Sequence, residues 1–122
     1  MAANWGEHDI RRYPRMSKQI ILVYRPEAEG KEKTSFTRTK TLGLGGFMFE
    51  SEQPLPVGTI CRVKLVVGER NLGLRCRVVY TNETDQGSFE IGMEFTEISG
   101  DDREFLTALF MRDQYQVDPG QS

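Results

Sequence analysis

Three segments in the middle of the chain alternate apolar and polar residues with a period of two, and only short turns separate them. In Thr59–Val67, the residues Cys61, Val63, Leu65 and Val67 share one face, with Arg62 and Lys64 on the other. In Leu72–Thr81, Leu74, Cys76, Val78 and Tyr80 alternate with Arg75 and Arg77. In Ser88–Phe95, Phe89, Ile91, Met93 and Phe95 alternate with Glu90 and Glu94. Period-two patterning of this kind demands a sheet with one buried face. Two further strands are expected before it, at Lys18–Tyr24 and Ser35–Thr41, with a short apolar strand at Phe47–Phe49. Past Ser99 the period changes. Phe105, Leu106, Leu109 and Phe110 form a helical stripe, and Ser99 followed by Asp102 is a helix-capping start, so a helix is expected as far as Asp113.

Five or six short strands closed by one amphipathic helix predict an all-β dominated fold, a small antiparallel six-stranded β-barrel with a C-terminal α-helix. The chain of 122 residues has room for one such domain. Residues 1–9 read as a flexible N-terminal segment, 10–113 as the domain and 114–122 as a tail. The first twelve residues lack the basic-then-apolar order of a secretory leader, and no run approaches the roughly 20 apolar residues that cross a bilayer. A cytoplasmic protein without membrane insertion is expected.

Pairing the strands symmetrically about Gly68–Asn71 sets Arg62 opposite Arg77 and Lys64 opposite Arg75. The next hairpin then sets Glu94 opposite Arg75 and Gly92 opposite Arg77. Like charges opposed across strands need neutralising. A salt-bridge lattice with the outward glutamates would do so, as would an anionic ligand on Arg77.

Function classes narrow quickly. One histidine, His8, and two cysteines, Cys61 and Cys76, leave no catalytic triad and no metal site, so the chain is not expected to be an enzyme or to carry a cofactor. The cysteines fall on one inward face and read as buried reduced thiols. A net charge of -2 argues against DNA or RNA as the partner. Yet residues 1–40 carry nine Lys/Arg against five Asp/Glu, a basic third on an acidic body. Its core is Arg11-Arg12-Tyr13-Pro14-Arg15, where Pro14 holds Tyr13 extended and arginines suit planar contact with phosphate and guanine. The run Thr41-Leu42-Gly43-Leu44-Gly45-Gly46 is followed by a strand, so neither the Walker loop nor the dinucleotide fingerprint applies. It is a bend where glycine allows close backbone approach or positive φ.

Together these two motifs resemble the PilZ domain, the bacterial receptor module for cyclic di-GMP, whose signature is RxxxR followed by (D/N)xSxxG. Arg11 and Arg15 match the first motif. Leu55-Pro56-Val57-Gly58-Thr59, Ile91-Gly92-Met93-Glu94-Phe95 and the closing helix extend the resemblance over residues 10–113. In the second motif only Gly46 is kept: Thr41 stands for Asp or Asn, and Gly43 for Ser. The resemblance implies a non-catalytic receptor in second-messenger signalling that binds cyclic di-GMP on the outer barrel surface. Arg11, Arg12 and Arg15 would grip guanine and phosphate, with Thr41, Gly43 and Gly46 completing the site and Arg77 beside it. Binding would order the N-terminal arm for an unidentified protein partner. The departures at Thr41 and Gly43 leave open the alternative of a degenerate PilZ domain that binds no nucleotide and serves as a protein–protein adaptor, for example in pilus or motility machinery.

Overall fold

A computed structural model describes residues 15–28 and 33–121, with side chains described for 17–28 and 33–112. Arg11 and Arg12, with Trp5 and His8, lie outside the described residues. The strands are β1 (Arg15–Ser17), β2 (Ile21–Pro26), β3 (Ser35–Gly43), β4 (Gly46–Ser51), β5 (Ile60–Val67), β6 (Arg70–Glu83) and β7 (Phe89–Glu97), followed by helix α1 (Gly100–Gln121). All neighbours pair antiparallel, in the order β1-β3-β2-β5-β6-β7-β4, and a further pairing of β3 with β4 closes the ring. The result is the expected closed six-stranded barrel with one C-terminal helix.

The short β1 and β2 lie one after the other along the same side of β3, interrupted at Thr39. The Thr39 side chain is buried, and its Oγ1 accepts from the Ile20 N–H at 3.0 Å and donates to the Lys18 carbonyl at 2.6 Å. Those bonds replace ladder bonds at the joint and satisfy its polar groups, as burial requires.

In β5 and β6 the alternating faces point as the sequence predicts, and Ile91 and Met93 of β7 face the core with them. Cys61, Val63, Leu65, Leu74, Cys76, Val78, Ile91 and Met93 are all buried, with Phe47 and Phe49 beside them. Tyr24 and Phe47 flank Phe49 with ring centroids 5.0 and 6.0 Å away, within the range of favourable aromatic pairs. Cys61 and Cys76 are direct cross-strand partners, buried and free. Burial, with the Glu27 charge, pushes the Cys61 thiol up to about 11, and burial also raises Cys76. Both therefore stay protonated and serve as small hydrophobes.

Leu106, Leu109 and Phe110 of α1 are buried, and the first two join the barrel core. The Ser99 hydroxyl caps the helix by accepting from the Asp102 N–H at 3.1 Å. Arg70 ties the β5–β6 turn to the helix, bonding Asp102 at 3.0 Å and lying over the Phe105 ring at 4.7 Å. Helical backbone continues past the expected end at Asp113 to Gln121. No glycine or proline stands between Asp113 and Pro119, so the sequence holds no stop signal there.

Register differs from expectation. The β5–β6 loop is the two residues Gly68-Glu69, with Val67 paired to Arg70 and Gly68 at φ 63°, which closes the turn tighter than a four-residue loop. Arg62 therefore faces Arg75, Lys64 faces Gly73, and Ile60 faces Arg77. Irregularities in β6 at Arg75/Cys76 and Val78/Tyr80 shift the next pairing as well: Arg75 faces Glu97, Arg77 faces Glu94, and Gly92 faces Tyr80. A Cβ on Gly92 would come within 2.2 Å of the Tyr80 ring, so this glycine makes room for Tyr80 and not for Arg77. Glu27 neutralises the opposed Arg62 and Arg75, at 3.0 and 2.8 Å. No helix among the described residues is long and apolar enough to cross a membrane.

Candidate functional site

The two sequence motifs meet through the pairing of β1 with β3. Arg15 is the cross-strand partner of Gly43, Met16 of Leu42 and Ser17 of Thr41. The last arginine of RxxxR is therefore anchored, by its backbone, beside the glycine bend. Beyond the bend, Gly46 opens β4 and pairs with Glu94 of β7, which in turn pairs with Arg77 of β6. Arg15, Gly43, Gly46, Glu94 and Arg77 thus follow one another around the barrel wall, with Leu44-Gly45 as the turn between the two glycines.

The glycines here are not required by handedness. Positive φ among the described residues occurs at Gly58, Gly68 and Gly87 only. Gly46 is required by contact: a Cβ there would sit 2.0 Å from the Met93 carbonyl oxygen and 3.0 Å from the Glu94 Cα. The Phe95 N–H also donates to the Gly45 carbonyl at 3.0 Å, which locks the bend against β7. Gly43 and Gly46 are buried, and Leu44 and Gly45 at the tip of the bend are half-buried.

Thr41 lies between Ser17 and Met48, and its Oγ1 is buried with no hydrogen-bond partner among the described residues. An unsatisfied buried hydroxyl costs about 1–3 kcal/mol. Replacing it by the near-isosteric valine, Thr41→Val, should raise the unfolding free energy of the ligand-free protein by about 1 kcal/mol, read as a higher urea midpoint at unchanged slope. A lower midpoint would mean that the hydroxyl contributes to the fold.

Glu94, expected to face outward, is only 3% exposed, and its Oε2 accepts from Arg77 Nη2. Ile91 and Met93 keep the core-facing side of β7, so Glu94 is buried on the other side of the strand, beside Arg77. The sequence sign was Gly92, since glycine inside a strand pattern marks a bulge or a close approach. Arg77, proposed from sequence as a ligand contact, is thus engaged by Glu94 on the β7 side of the bend. Among the described residues no cluster of three or more His, Cys, Asp or Glu gathers to hold a metal.

A closed antiparallel barrel with one capped C-terminal helix, and Arg15 paired beside a glycine bend, define the class of small closed β-barrel to which the chain belongs. The PilZ domain family model matches residues 9–112, and the chain belongs to that family. Solved structures agree in fold. The Bacillus subtilis inhibitor of motility MotI/DgrA is 18% identical with a TM-score of 0.74, over 87% of this chain and 52% of that one. The K. pneumonia MrkH–c-di-GMP complex is 15% identical with a TM-score of 0.74, over 90% and 55%. The PilZ domain of Escherichia coli YcgR with c-di-GMP is 16% identical with a TM-score of 0.67, over 92% and 98%. The chain spans about half the length of MotI/DgrA and of MrkH, and nearly all of the YcgR domain. No curated protein matches the chain.

Proposed function

We propose that this PilZ domain is a non-catalytic cyclic di-GMP receptor. Arg11, Arg12 and Arg15 grip the nucleotide over the Thr41–Gly46 bend, with Arg77 held by Glu94 at its margin. The observation that carries the reading is the pairing of Arg15 with Gly43, which joins the two motifs. It is supported by the c-di-GMP complexes among the structures of similar fold. Guanidinium groups supply paired donors to phosphate and stack on purine rings. Thr41 cannot accept guanine N–H donors as a carboxylate would, but its unpartnered hydroxyl offers one neutral hydrogen bond. Gly43 has no side chain to contribute to the ligand. The arm closing over the nucleotide would form a surface for a protein partner in the cytoplasm.

Isothermal titration with cyclic di-GMP tests this. Arg11→Ala and Arg15→Ala should each weaken binding about 10- to 150-fold, the worth of one charged hydrogen bond of about 1.5–3 kcal/mol. Heat that neither substitution changes would move the site elsewhere. Absence of heat would favour the second reading, a PilZ adaptor without nucleotide, which the replacements at Thr41 and Gly43 favour.

A further inference from the structure

We propose that the outer face of β2, β5 and β6 is a docking groove for an extended acidic segment of a partner protein. The groove has a volume of about 990 Å³ and includes neither Arg15, the Thr41–Gly46 bend nor Arg77. It is therefore independent of the nucleotide reading, and either can fail without the other.

The face is built from two adjacent cross-strand rows. One runs Arg25, Arg62, Arg75 and Glu97; the other runs Phe36, Val23, Lys64 and Gly73. Three arginines in line across three strands are mutually repulsive unless anions lie among them. The chain supplies two such anions, Glu27 and Glu97. The Glu27 carboxylate bonds Arg75 Nε and Nη2 together, at 3.1 and 2.8 Å, and reaches Arg62 Nε at 3.0 Å. This is the paired geometry by which arginine selects carboxylate. The Arg75 hydrogen bond, foremost among the causes, holds the Glu27 carboxyl below its ordinary range.

Glu97 bonds Arg75 Nη1 at 3.1 Å, and these two carboxylates do not balance the five cations of the face, Arg25, Arg62, Lys64, Arg75 and Arg103. Arg25, Lys64 and Arg103 line the groove, are exposed, and make no ion pair among the described residues. A cationic surplus on a chain of net charge -2 draws acidic partners and repels a second copy of the same face. The floor is open as well, because a Cβ at Gly73 would meet nothing within 4 Å. A foreign backbone can therefore lie against β6 between Lys64 and Arg75. Arg62 and Lys64 are two residues apart on β5, a rise of about 6.6–6.8 Å, the repeat of every second side chain in an extended peptide. Two strands away from Lys64 in the same row, at the edge of the groove, Phe36 is 74% exposed, so an apolar residue extending past the groove would find cover there.

The test is fluorescence anisotropy with a fluorescein-labelled octapeptide of alternating aspartate and valine, added to the whole chain at low salt. Saturable binding is expected, lost when asparagine replaces aspartate and weakened at least about tenfold by Lys64→Glu or Arg103→Glu. Both positions are exposed, so the fold should survive, as circular dichroism would show. Glu27→Gln should tighten the probe several-fold by releasing Arg62 and Arg75, while Glu104→Gln, outside the groove, should not. Failure to saturate at about 1 mM peptide would overturn the proposal. So would equal effects of Glu27→Gln and Glu104→Gln, which would indicate overall charge alone. Lys64-dependent capture by phosphatidylserine vesicles, with no peptide binding, would assign the face to a membrane surface and likewise overturn it.

Discussion

Gly46→Ala should lower the unfolding free energy by about 3 kcal/mol, more than one added methyl normally costs. The new Cβ would lie 2.0 Å from the Met93 carbonyl oxygen and 3.0 Å from the Glu94 Cα, and both belong to the backbone of β7. No side-chain rotation relieves such a contact. Relief requires β4 to move off β7, which breaks the Gly46–Glu94 pairing at the start of β4. Gly73→Ala is the matched control, since its Cβ would meet nothing within 4 Å. It should fall within about 0.5 kcal/mol of the parent, as surface substitutions usually do. Urea unfolding of both variants decides the matter. A loss below about 1 kcal/mol for Gly46→Ala would mean that the wall beside the bend yields easily, contrary to a preorganised site.

Arg77→Ala should cost about 3 kcal/mol, because it leaves the Glu94 carboxylate buried without this partner. Glu94→Gln should cost less. The Arg77 side chain is 38% exposed and can turn to water, whereas the Glu94 side chain is 4% exposed and cannot. The double change Arg77→Met with Glu94→Met should recover much of the loss, since apolar replacement of a buried pair is often neutral or better. A urea-based double-mutant cycle measures the coupling. Equal and additive losses would show that the pair is not a unit. Because Glu94 adjoins Gly46 in the ladder, Arg77→Ala should also loosen the bend and weaken nucleotide binding.

The core was legible in the sequence because β5 and β6 bury one face each and β7 turns Ile91 and Met93 to the core. Residues such as Val63, Cys76 and Ile91 announce that face by alternation alone. Register was not legible. The polar run Gly68–Asn71 does not reveal that Gly68 and Glu69 alone form the loop, and a change of two loop residues re-pairs every arginine on the face. Strict alternation also made Glu94 an exposed residue, whereas it is buried beside Arg77 on the side of β7 away from Ile91 and Met93. The break between β1 and β2 depends on Thr39 bonding Lys18 and Ile20, contacts distant in sequence that no local pattern encodes. At the site, the glycines of the bend and the strand after it were readable as motif. The buried Thr41 hydroxyl was not, because its burial arises only where β1, β3 and β4 converge.

The most direct test of the receptor reading is a titration of the ¹⁵N-labelled protein with cyclic di-GMP, followed by amide chemical shifts. Gly43, Gly45, Gly46 and Ser17 should move and saturate together, while Gly73, in the separate groove, and Gly58 should hold still. No shift at excess nucleotide, or the largest shifts at Gly73, would contradict it.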